Sequence, residues 1–350
     1  MGCLGFDTSN YTTSIAWNDG IRGVNRAGLL PVRSGELGLR QSDALFAHVK
    51  QLSELAAGLI EEVKGMETGP AAAESHVPYA GDEEQKDSAH AAGAVFMQSA
   101  VCRSGGCRID VVAASTRPRA VEGSYMPCFL AGSSQGQVLA SVLGVPYYAF
   151  SHQQGHLAAV LWGAGRLELL DRPFLAWHLS GGTTELLRVE PGPAGPDARK
   201  IGGTTDLAAG QLIDRTGRML GLDFPAGKAL DALAAPAREK PFRVRLQELE
   251  FSLSGVENQV RDRLQQGVPA AQAAAFVLDT VAETVFRTTL AAMQVFPGLP
   301  VVFSGGVASC SRLRARCAAL DAVFAAPALS TDNAMGVAVL GWLRKEGHFV

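Results

Sequence analysis

The sequence predicts an α/β protein with two related lobes, each built around a mixed β-sheet. Two units of the form strand, turn, strand recur near residues 4–17 and 174–189, and helical patterns follow each of them. The length of 350 residues corresponds to about two domains of ordinary size. Neither GxGxxG nor GxxxxGK[ST] occurs, so the two common nucleotide-binding fingerprints are absent.

In the first half, periodicity of two or of 3.6 residues and the position of turn residues define each element. The predicted strands are Cys3–Phe6, Thr12–Trp17, Ile109–Ala114 and Pro146–Phe150. The predicted helices are Gln41–Val63, Asp87–Ala100 and Leu130–Leu143. The segment Lys64–Lys86 has no clear period and is interpreted as a surface insertion or loop.

The second half repeats this order. Strands are predicted at Phe174–Leu179, Glu185–Val189 and Pro300–Phe303, with a glycine turn at Ser180–Thr184 and a Pro/Gly-rich loop at Pro191–Asp197. Helices are predicted at Asp206–Leu220, Gly255–Gln265, Pro269–Val295 and Asp332–Lys345.

Composition narrows the class of protein. Hydrophobic residues make up 47% and charged residues 19%, which is typical of a globular chain. The formal net charge of −3 excludes a global basic field, so RNA binding would need a local patch. The absence of a basic leader, of a stretch long enough to span a membrane and of paired CxxC spacing predicts a cytoplasmic protein with reduced thiols and no membrane partner.

The segment SHQQGH carries two imidazoles, His152 and His156, four residues apart. If a helix has begun there, the two side chains share one face and can bind one metal ion. A third ligand must come from elsewhere in the chain. An isolated HxxxH also arises by chance, and without HExxH the zinc-protease mechanism is not supported.

Three turns carry hydroxyl groups at strand ends: Asp7–Ser9, Ser180–Thr184 and Ser304–Val307. Backbone N–H groups in such turns can bind phosphate oxygens, although a single turn of this kind is more often an ordinary tight turn. Three of them, each at a strand end, favour a nucleotide-binding cleft. Thr205 is placed to cap a helix with Asp206 in its first turn. Asp214 would then lie on the same face, as a ribose ligand or simply as a solvated carboxylate.

Seven motifs in chain order make the sequence resemble the TsaD family, the tRNA N6-threonylcarbamoyladenine synthases. They are DTSNYTTSIA, SHQQGH, HLSGGTTEL, TTDLAAGQLIDRTGRMLGLDFPAGKALDALA, FSLSGVENQV, SGGVASCSRLR and STDNAMGVAVLG. In the family these positions are a phosphate hairpin, an HxxxH metal motif, a second phosphate hairpin, a long signature helix, a substrate-lobe turn, an adenosine loop and a C-terminal metal motif.

The resemblance implies the site residues. Asp332 would complete a metal site with His152 and His156, for iron or zinc. The residues implied to bind substrate or nucleotide are His178, Leu179, Ser180, Gly181, Gly182, Asp214, Gly227 and Cys310. It assigns no catalytic residue.

The resemblance also implies the fold, an actin/Hsp70-like (ASKHA) pair of RNase H-like lobes with an interlobe cleft. Residues 1–150 and 325–350 would form the N-terminal lobe. Residues 151–324 would form the second lobe and carry most metal and nucleotide contacts.

The implied activity is transfer of a threonylcarbamoyl group from threonylcarbamoyl-AMP to tRNA, with pathway proteins as possible partners of the N-terminal lobe. Family members usually carry Cys-Asp-Glu-Thr where this chain has Asn10-Tyr11-Thr12-Thr13. This loss of two acids leaves open a divergent paralogue that hydrolyses ATP or uses another acceptor, and a non-catalytic scaffold.

Two groups of basic residues bear on RNA contact. They are Arg312, Arg314 and Arg316, and Arg238, Lys240, Arg243 and Arg245. Each group is either a local RNA-binding patch or a set of ordinary exposed side chains.

Overall fold

The structure is a computed structural model and describes residues 1–9, 11–31, 39–68 and 108–349. The expectations for the segment after Thr68, for the helix Asp87–Ala100 and for Asn10 fall outside these residues. Within them, no helix is both long and apolar enough to cross a membrane. The chain divides into two compact units: Met1–Trp162 with Gly192–Asp197 and Asp332–Val350, and Gly163–Pro191 with Ala198–Thr331.

The first unit contains one five-stranded mixed sheet of order β3-β2-β1-β4-β5. Its strands are β1 (Gly2–Ser9), β2 (Thr12–Asn18), β3 (Gly23–Leu29), β4 (Ile109–Arg117) and β5 (Tyr147–Ser151). β1, β2 and β3 pair antiparallel, whereas β4 runs parallel to both β1 and β5. Its helices are α1 (Gln41–Thr68), α2 (Phe129–Leu143), α3 (His152–Gly163) and α9 (Met335–Lys345).

Small residues let α9 pack closely on this sheet. A Cβ atom on Gly5 of β1 would lie 2.7 Å from the backbone nitrogen of Ala338, and one on Gly341 would lie 2.7 Å from Cβ of Ala113 in β4. Both distances are shorter than real Cβ contacts, so glycine is required at each position. This contact fixes the start of α9, and with it Asp332, relative to β1.

The second unit contains a seven-stranded sheet of order β12-β11-β6-β7-β8-β10-β9. Its strands are β6 (Phe174–Leu179), β7 (Thr184–Glu190), β8 (Asp197–Thr204), β9 (Leu246–Gln247), β10 (Glu250–Phe251), β11 (Val301–Ser304) and β12 (Ala322–Phe324). Its helices are α4 (Ala209–Met219), α5 (Gly227–Ala234), α6 (Ser254–Gln265), α7 (Ala270–Val295) and α8 (Ser311–Cys317). The order β8-β7-β6-β11-β12 matches that of the first sheet, which confirms the predicted recurrence.

The core of the second unit forms where α7 packs beneath the sheet. Phe276, Trp177 and Phe303 are almost completely buried there. Nε1 of Trp177 donates to the hydroxyl of Thr289 at 2.8 Å, so the one polar atom of the ring is satisfied. Burial of these aromatic side chains fixes β6 and β11, whose ends carry the glycine turns.

The predicted signature helix is instead two helices, α4 and α5. Gly221, at φ +75°, ends the first helix, because this left-handed conformation is accessible to glycine. Pro225 prevents continuous helical hydrogen bonding before α5 begins. Strands β3, β8 and β12 and helix α8 also lie outside the elements predicted from the sequence.

The observed division of the chain also differs from the predicted boundary at residue 150. Helix α3 belongs to the first unit because it crosses α9 closely: a Cβ atom on Gly336 would collide with the carbonyl oxygen of Gly155. The loop after β7 also belongs to the first unit. Nε2 of Gln154, on α3, donates to the carbonyl oxygens of Ala194 and Pro196 in this loop at 3.1 and 3.2 Å.

Candidate functional site

The two histidines of HxxxH lie at the N-terminal end of α3, directly after β5. Ser151 and Gln154 fix this start: the Ser151 N–H donates to Oε1 of Gln154 at 2.8 Å, and the Gln154 N–H donates to Oγ of Ser151 at 3.2 Å. The helix begins at His152. His152 and His156 therefore share one helical face, as the conditional prediction requires.

Asp332, just before α9, lies against both imidazoles. Nε2 of His152 and Nε2 of His156 are 2.9 Å apart. Oδ1 of Asp332 lies 3.4 Å from the first nitrogen and 3.3 Å from the second. The ligand atoms of all three residues lie within 4.8 Å of one another, although Asp332 is far from the histidines in sequence.

This spacing suits a shared cation. Nitrogen and oxygen ligands about 2.1 Å from one ion lie roughly 3 to 3.5 Å from each other. The separations among His152, His156 and Asp332 fall in or next to that range. Two imidazoles and one carboxylate leave coordination positions open for water or substrate.

Asp7, on β1, contacts His152 on the ring nitrogen that faces away from Asp332. Both of its carboxylate oxygens lie 3.1 Å from Nδ1 of His152. Asp7 is fully buried, and it accepts hydrogen bonds from the hydroxyls of Ser9, at 2.9 Å, and Ser115. A carboxylate on the second ring nitrogen orients a metal-binding histidine.

The pKa values of His152 and Asp332 are shifted in opposite directions. Burial alone would lower the pKa of His152, but the carboxylates of Asp7 and Asp332 outweigh burial and raise it to about 10. Burial would raise the pKa of Asp332, but the two histidines hold it well below its usual range. The two carboxylates therefore favour a positive charge at this place, whether a proton on His152 or a cation.

His48, on α1, is a further buried histidine that the sequence analysis did not select. The Thr13 hydroxyl donates to Oε1 of Gln51 at 2.7 Å, so it accepts from Nδ1 of His48 at 2.9 Å. Burial lowers the pKa of His48, opposed by the charges of Asp7 and Asp332. His48 is therefore a neutral ring whose Nε2 has no hydrogen-bond partner among the described residues.

The second predicted phosphate hairpin is a tight turn at the end of β6. The Ser180 N–H donates to the carbonyl of Thr183 at 2.9 Å, and the Thr183 N–H donates to Oγ of Ser180 at 3.1 Å. Gly181 and Gly182 are exposed, with open space where a side chain would lie. The turn thus presents backbone to a ligand.

The side chains of His178 and Leu179, at the end of β6 before the turn, are buried. Leu179 is completely buried, and His178 is 8% exposed. A Cβ atom on Gly210 of α4 would lie 2.6 Å from Cα of Gly181, so the N-terminus of α4 contacts the turn directly. The N-terminus of a helix favours anions, which makes this junction suited to a phosphate.

The other candidate nucleotide ligands lie around the start of α5. Oδ1 of Asp214 accepts the N–H of Ala226 at 2.9 Å, next to Gly227. Burial raises the pKa of Asp214. Sγ of Cys310 lies 3.5 Å from Oδ1 of Asp231 on α5, and burial raises the pKa of this thiol to about 11, so it is a protonated side chain and not a thiolate.

Asp206 does not lie in the first turn of a helix, and this prediction was wrong. Helix α4 begins at Ala209, so Asp206 and Asp214 share no helical face. The Asp206 carboxylate instead accepts the Leu253 N–H at 2.9 Å and the hydroxyl of Ser252. It joins the loop before α4 to the start of α6, because tertiary donors compete successfully with a local cap.

The two groups of basic residues differ in whether their charges are paired. Arg312, Arg314 and Arg316 are engaged within the second unit: Arg312 pairs with Asp279 at 2.6 Å, Arg314 donates to backbone carbonyls, and Arg316 pairs with Glu283 at 2.6 Å. The other group is exposed and has no ion pair among the described residues. Its members are Arg238, Lys240, Arg243 and Arg245.

A protein-family model and individual named proteins match this chain. The family model described as "tRNA N6-adenosine threonylcarbamoyltransferase" matches residues 99–339. A protein of that name from Sorangium cellulosum is 35% identical over 299 residues, covering 77% of this chain and 82% of its own. One from Thermus thermophilus is 33% identical over 248 residues, covering 69% and 72%.

Solved structures agree on the fold. Full-length HypF, crystallised in a phosphate- and nucleotide-bound form, has a TM-score of 0.57 at 13% identity. It matches 99% of this chain, which spans 47% of HypF. The activator of 2-hydroxyisocaproyl-CoA dehydratase from Clostridium difficile, with bound ADPNP, has a TM-score of 0.50 at 13% identity over 99% of this chain and 96% of its own. The actin/Hsp70-like fold class is thereby confirmed.

Proposed function

Because this chain belongs to the tRNA N6-adenosine threonylcarbamoyltransferase family, we propose that it transfers a threonylcarbamoyl group from threonylcarbamoyl-AMP to tRNA. The acceptor is N6 of the adenosine beside the anticodon. In the reaction N6 forms a bond to the carbamoyl carbon, the bond from that carbon to the phosphate oxygen breaks, and AMP leaves. N6 loses one proton. Because the proposed acceptor is tRNA, we propose that the reaction takes place in the cytoplasm.

The observation that carries the proposal is the convergence of His152, His156 and Asp332, with ligand atoms within 4.8 Å, in a chain that has this family membership. These residues would hold Fe²⁺ or Zn²⁺, both of which accept imidazole and carboxylate ligands. Such an ion would polarise the carbamoyl oxygen as a Lewis acid. Asp7 would orient His152 through Nδ1.

Residues of the second unit would bind the adenylate part of the donor. Gly181 and Gly182 are open to a phosphate, and the N-terminus of α4 adds its favourable dipole. Asp214 and Gly227 would contact the ribose, and Cys310, held by Asp231, would line the adenosine site as a neutral thiol. The proposed ligands are therefore one metal ion per chain, held by the first unit, and an adenine nucleotide, bound by the second unit.

The test is a transfer assay with purified metal-loaded protein, threonylcarbamoyl-AMP carrying labelled threonine, and unmodified tRNA transcript, with and without the pathway proteins proposed to bind the N-terminal unit. We expect label in tRNA that digests to the modified adenosine. A transcript with guanosine in place of the acceptor adenosine is the matched control and should stay unlabelled. Absence of transfer under every condition, with metal and nucleotide bound, would contradict the proposal.

A further inference from the structure

One surface of the second unit concentrates positive charge. Between α5 and β9, residues 238–245 form a segment that we call the basic loop. Its four cations are all exposed, and they have no ion-pair partner among the described residues: Arg238, Lys240, Arg243 and Arg245. The one acid in the loop, Glu239, lies 3.7 Å from Arg263 of α6. The loop therefore carries four free positive charges on a chain whose net charge is −3.

The backbone of the basic loop is fixed. The Phe242 N–H donates to the hydroxyl of Thr280 at 2.9 Å, and the carbonyl of Val244 accepts from Arg287 at 2.8 Å. The side chain of Val244 is 3% exposed and belongs to the core. Because the backbone is held at these points, ligand binding would not have to order it.

An exposed aromatic ring accompanies the charges. Phe242 is 40% exposed and lies between Lys240 and Arg243 in the chain. Cations bind phosphate groups, and aromatic rings stack on unpaired bases of single-stranded RNA. One exposed aromatic ring among four cations on a fixed backbone favours RNA over an acidic protein surface, which offers no base to stack.

We propose that the basic loop binds tRNA, with its four cations on the phosphate backbone and Phe242 against an unstacked base. The inference deepens the proposed function, because tRNA is the acceptor in that reaction. It assigns to this surface the affinity for tRNA, separately from the residues that bind metal and nucleotide.

The experiment measures binding of labelled, unmodified tRNA to the full chain by fluorescence anisotropy over a series of salt concentrations. The test variant replaces all four cations of the basic loop with glutamine. The matched control replaces four other exposed cations with glutamine: Arg40, Arg172, Arg199 and Lys200. Both variants lose four positive charges, so they differ only in where the charge is removed.

We expect the test variant to bind tRNA at least about tenfold more weakly at low salt. The slope of log affinity against log salt should fall by roughly 3, since each lost phosphate contact removes about 0.7 to 0.9. The control should keep most of the slope. Phe242→Ala should weaken binding about fivefold or more at every salt concentration, because stacking is not screened.

Equal losses in the test and control variants would overturn the proposal, because they would reflect net charge alone. Unchanged binding in the test variant, or an absence of tRNA binding by the native chain, would also overturn it. Failure of the proposed function is distinguishable: native protein would then bind tRNA through the basic loop yet transfer no threonylcarbamoyl group. Conversely, transfer that continues unchanged in the test variant would leave the function intact and remove this surface.

Discussion

Asp7 binds Nδ1 of His152 at 3.1 Å, on the ring nitrogen opposite the one that faces His156 and Asp332. When His152 is neutral, this contact places its remaining proton on Nδ1 and leaves the lone pair of Nε2 for a cation. Asp7 comes from β1, His152 from the start of α3 and Asp332 from the segment before α9. Three separate parts of the first unit thus set the orientation of one imidazole.

Replacing Asp7 by asparagine should therefore weaken metal binding. Asp7→Asn keeps the size of the side chain but removes the negative charge beside His152. We expect metal affinity to fall by about 10- to 100-fold, as for other histidine-orienting groups. Competition with a chelator of known affinity measures this. Asp110→Asn, which removes a carboxylate from β4 of the same sheet, should leave affinity unchanged, and an equal loss there would contradict the orienting role.

Removal of the two imidazoles should abolish the metal site. The double variant His152→Ala, His156→Ala leaves only Asp332, and a single carboxylate does not retain iron or zinc against dialysis. Elemental analysis should fall from one metal per chain to none. His348→Ala removes a histidine outside the site and should retain full stoichiometry. Full metal content in the double variant would exclude the site.

Because α3 and α9 cross so closely, a single added methyl group at the crossing should lower the stability of the fold. Gly336→Ala would drive Cβ into the carbonyl oxygen of Gly155, and the helices would have to move apart. We expect a loss of about 1–3 kcal/mol in the free energy of unfolding, together with weaker metal binding, since Asp332 precedes α9.

Gly255→Ala is the matched control for that variant. Gly255 lies in the first turn of α6, and a Cβ atom added there would project into open space. Alanine there should leave stability unchanged or raise it by up to about 1 kcal/mol. Denaturant unfolding measures the stability of both variants. Equal stability would contradict the prediction, because it would mean that α3 and α9 can move apart at no cost in free energy.

Asp206 predicts a pH dependence of stability. Burial would raise its pKa, but hydrogen bonds from Ser252, Ser254 and two backbone N–H groups hold it well below its usual range. The ionised form is therefore favoured by folding, so its contribution is present above the unfolded pKa of about 3.9 and is lost as pH falls below it.

The measurement compares wild type with Asp206→Asn across pH. Wild type should be more stable by a constant margin from about pH 7 to pH 5, and the margin should shrink as pH falls through about 4 towards 2. Thermal unfolding at each pH gives the difference. A margin that does not change between about pH 7 and pH 3 would show that the charge of Asp206 contributes nothing.

Asp214 predicts a loss of nucleotide affinity. Asp214→Ala removes the proposed ribose acceptor and the bond to the Ala226 N–H, and should weaken binding of an adenine nucleotide by about 1–3 kcal/mol. Asp214→Asn retains an oxygen for that N–H and separates the two roles. Calorimetry in which the native metal-loaded protein binds no adenine nucleotide would contradict the site.

Patterns of neighbouring residues in the sequence were sufficient to predict many of the helices and part of the candidate metal site. The alternation and helical spacing of hydrophobic residues located α1, α2, α6 and α7 to within a few residues, because these signals depend on neighbours in the chain. The spacing of His152 and His156 predicted their shared helical face for the same reason. The motifs also indicated the family, and through it Asp332, without any structural information.

Only the tertiary structure decided which distant groups meet. Nothing within a few residues of Asp7 indicates that it binds His152, 145 positions away, and nothing near Asp206 indicates that its partners lie in the loop before α6. Arg312 and Arg243 look alike in sequence, yet the first is neutralised by Asp279 and the second is free among the described residues. Periodicity records which face of an element is buried, whereas the pairing of polar groups depends on how elements pack, because a hydrogen bond or ion pair requires atoms within about 3 to 4 Å.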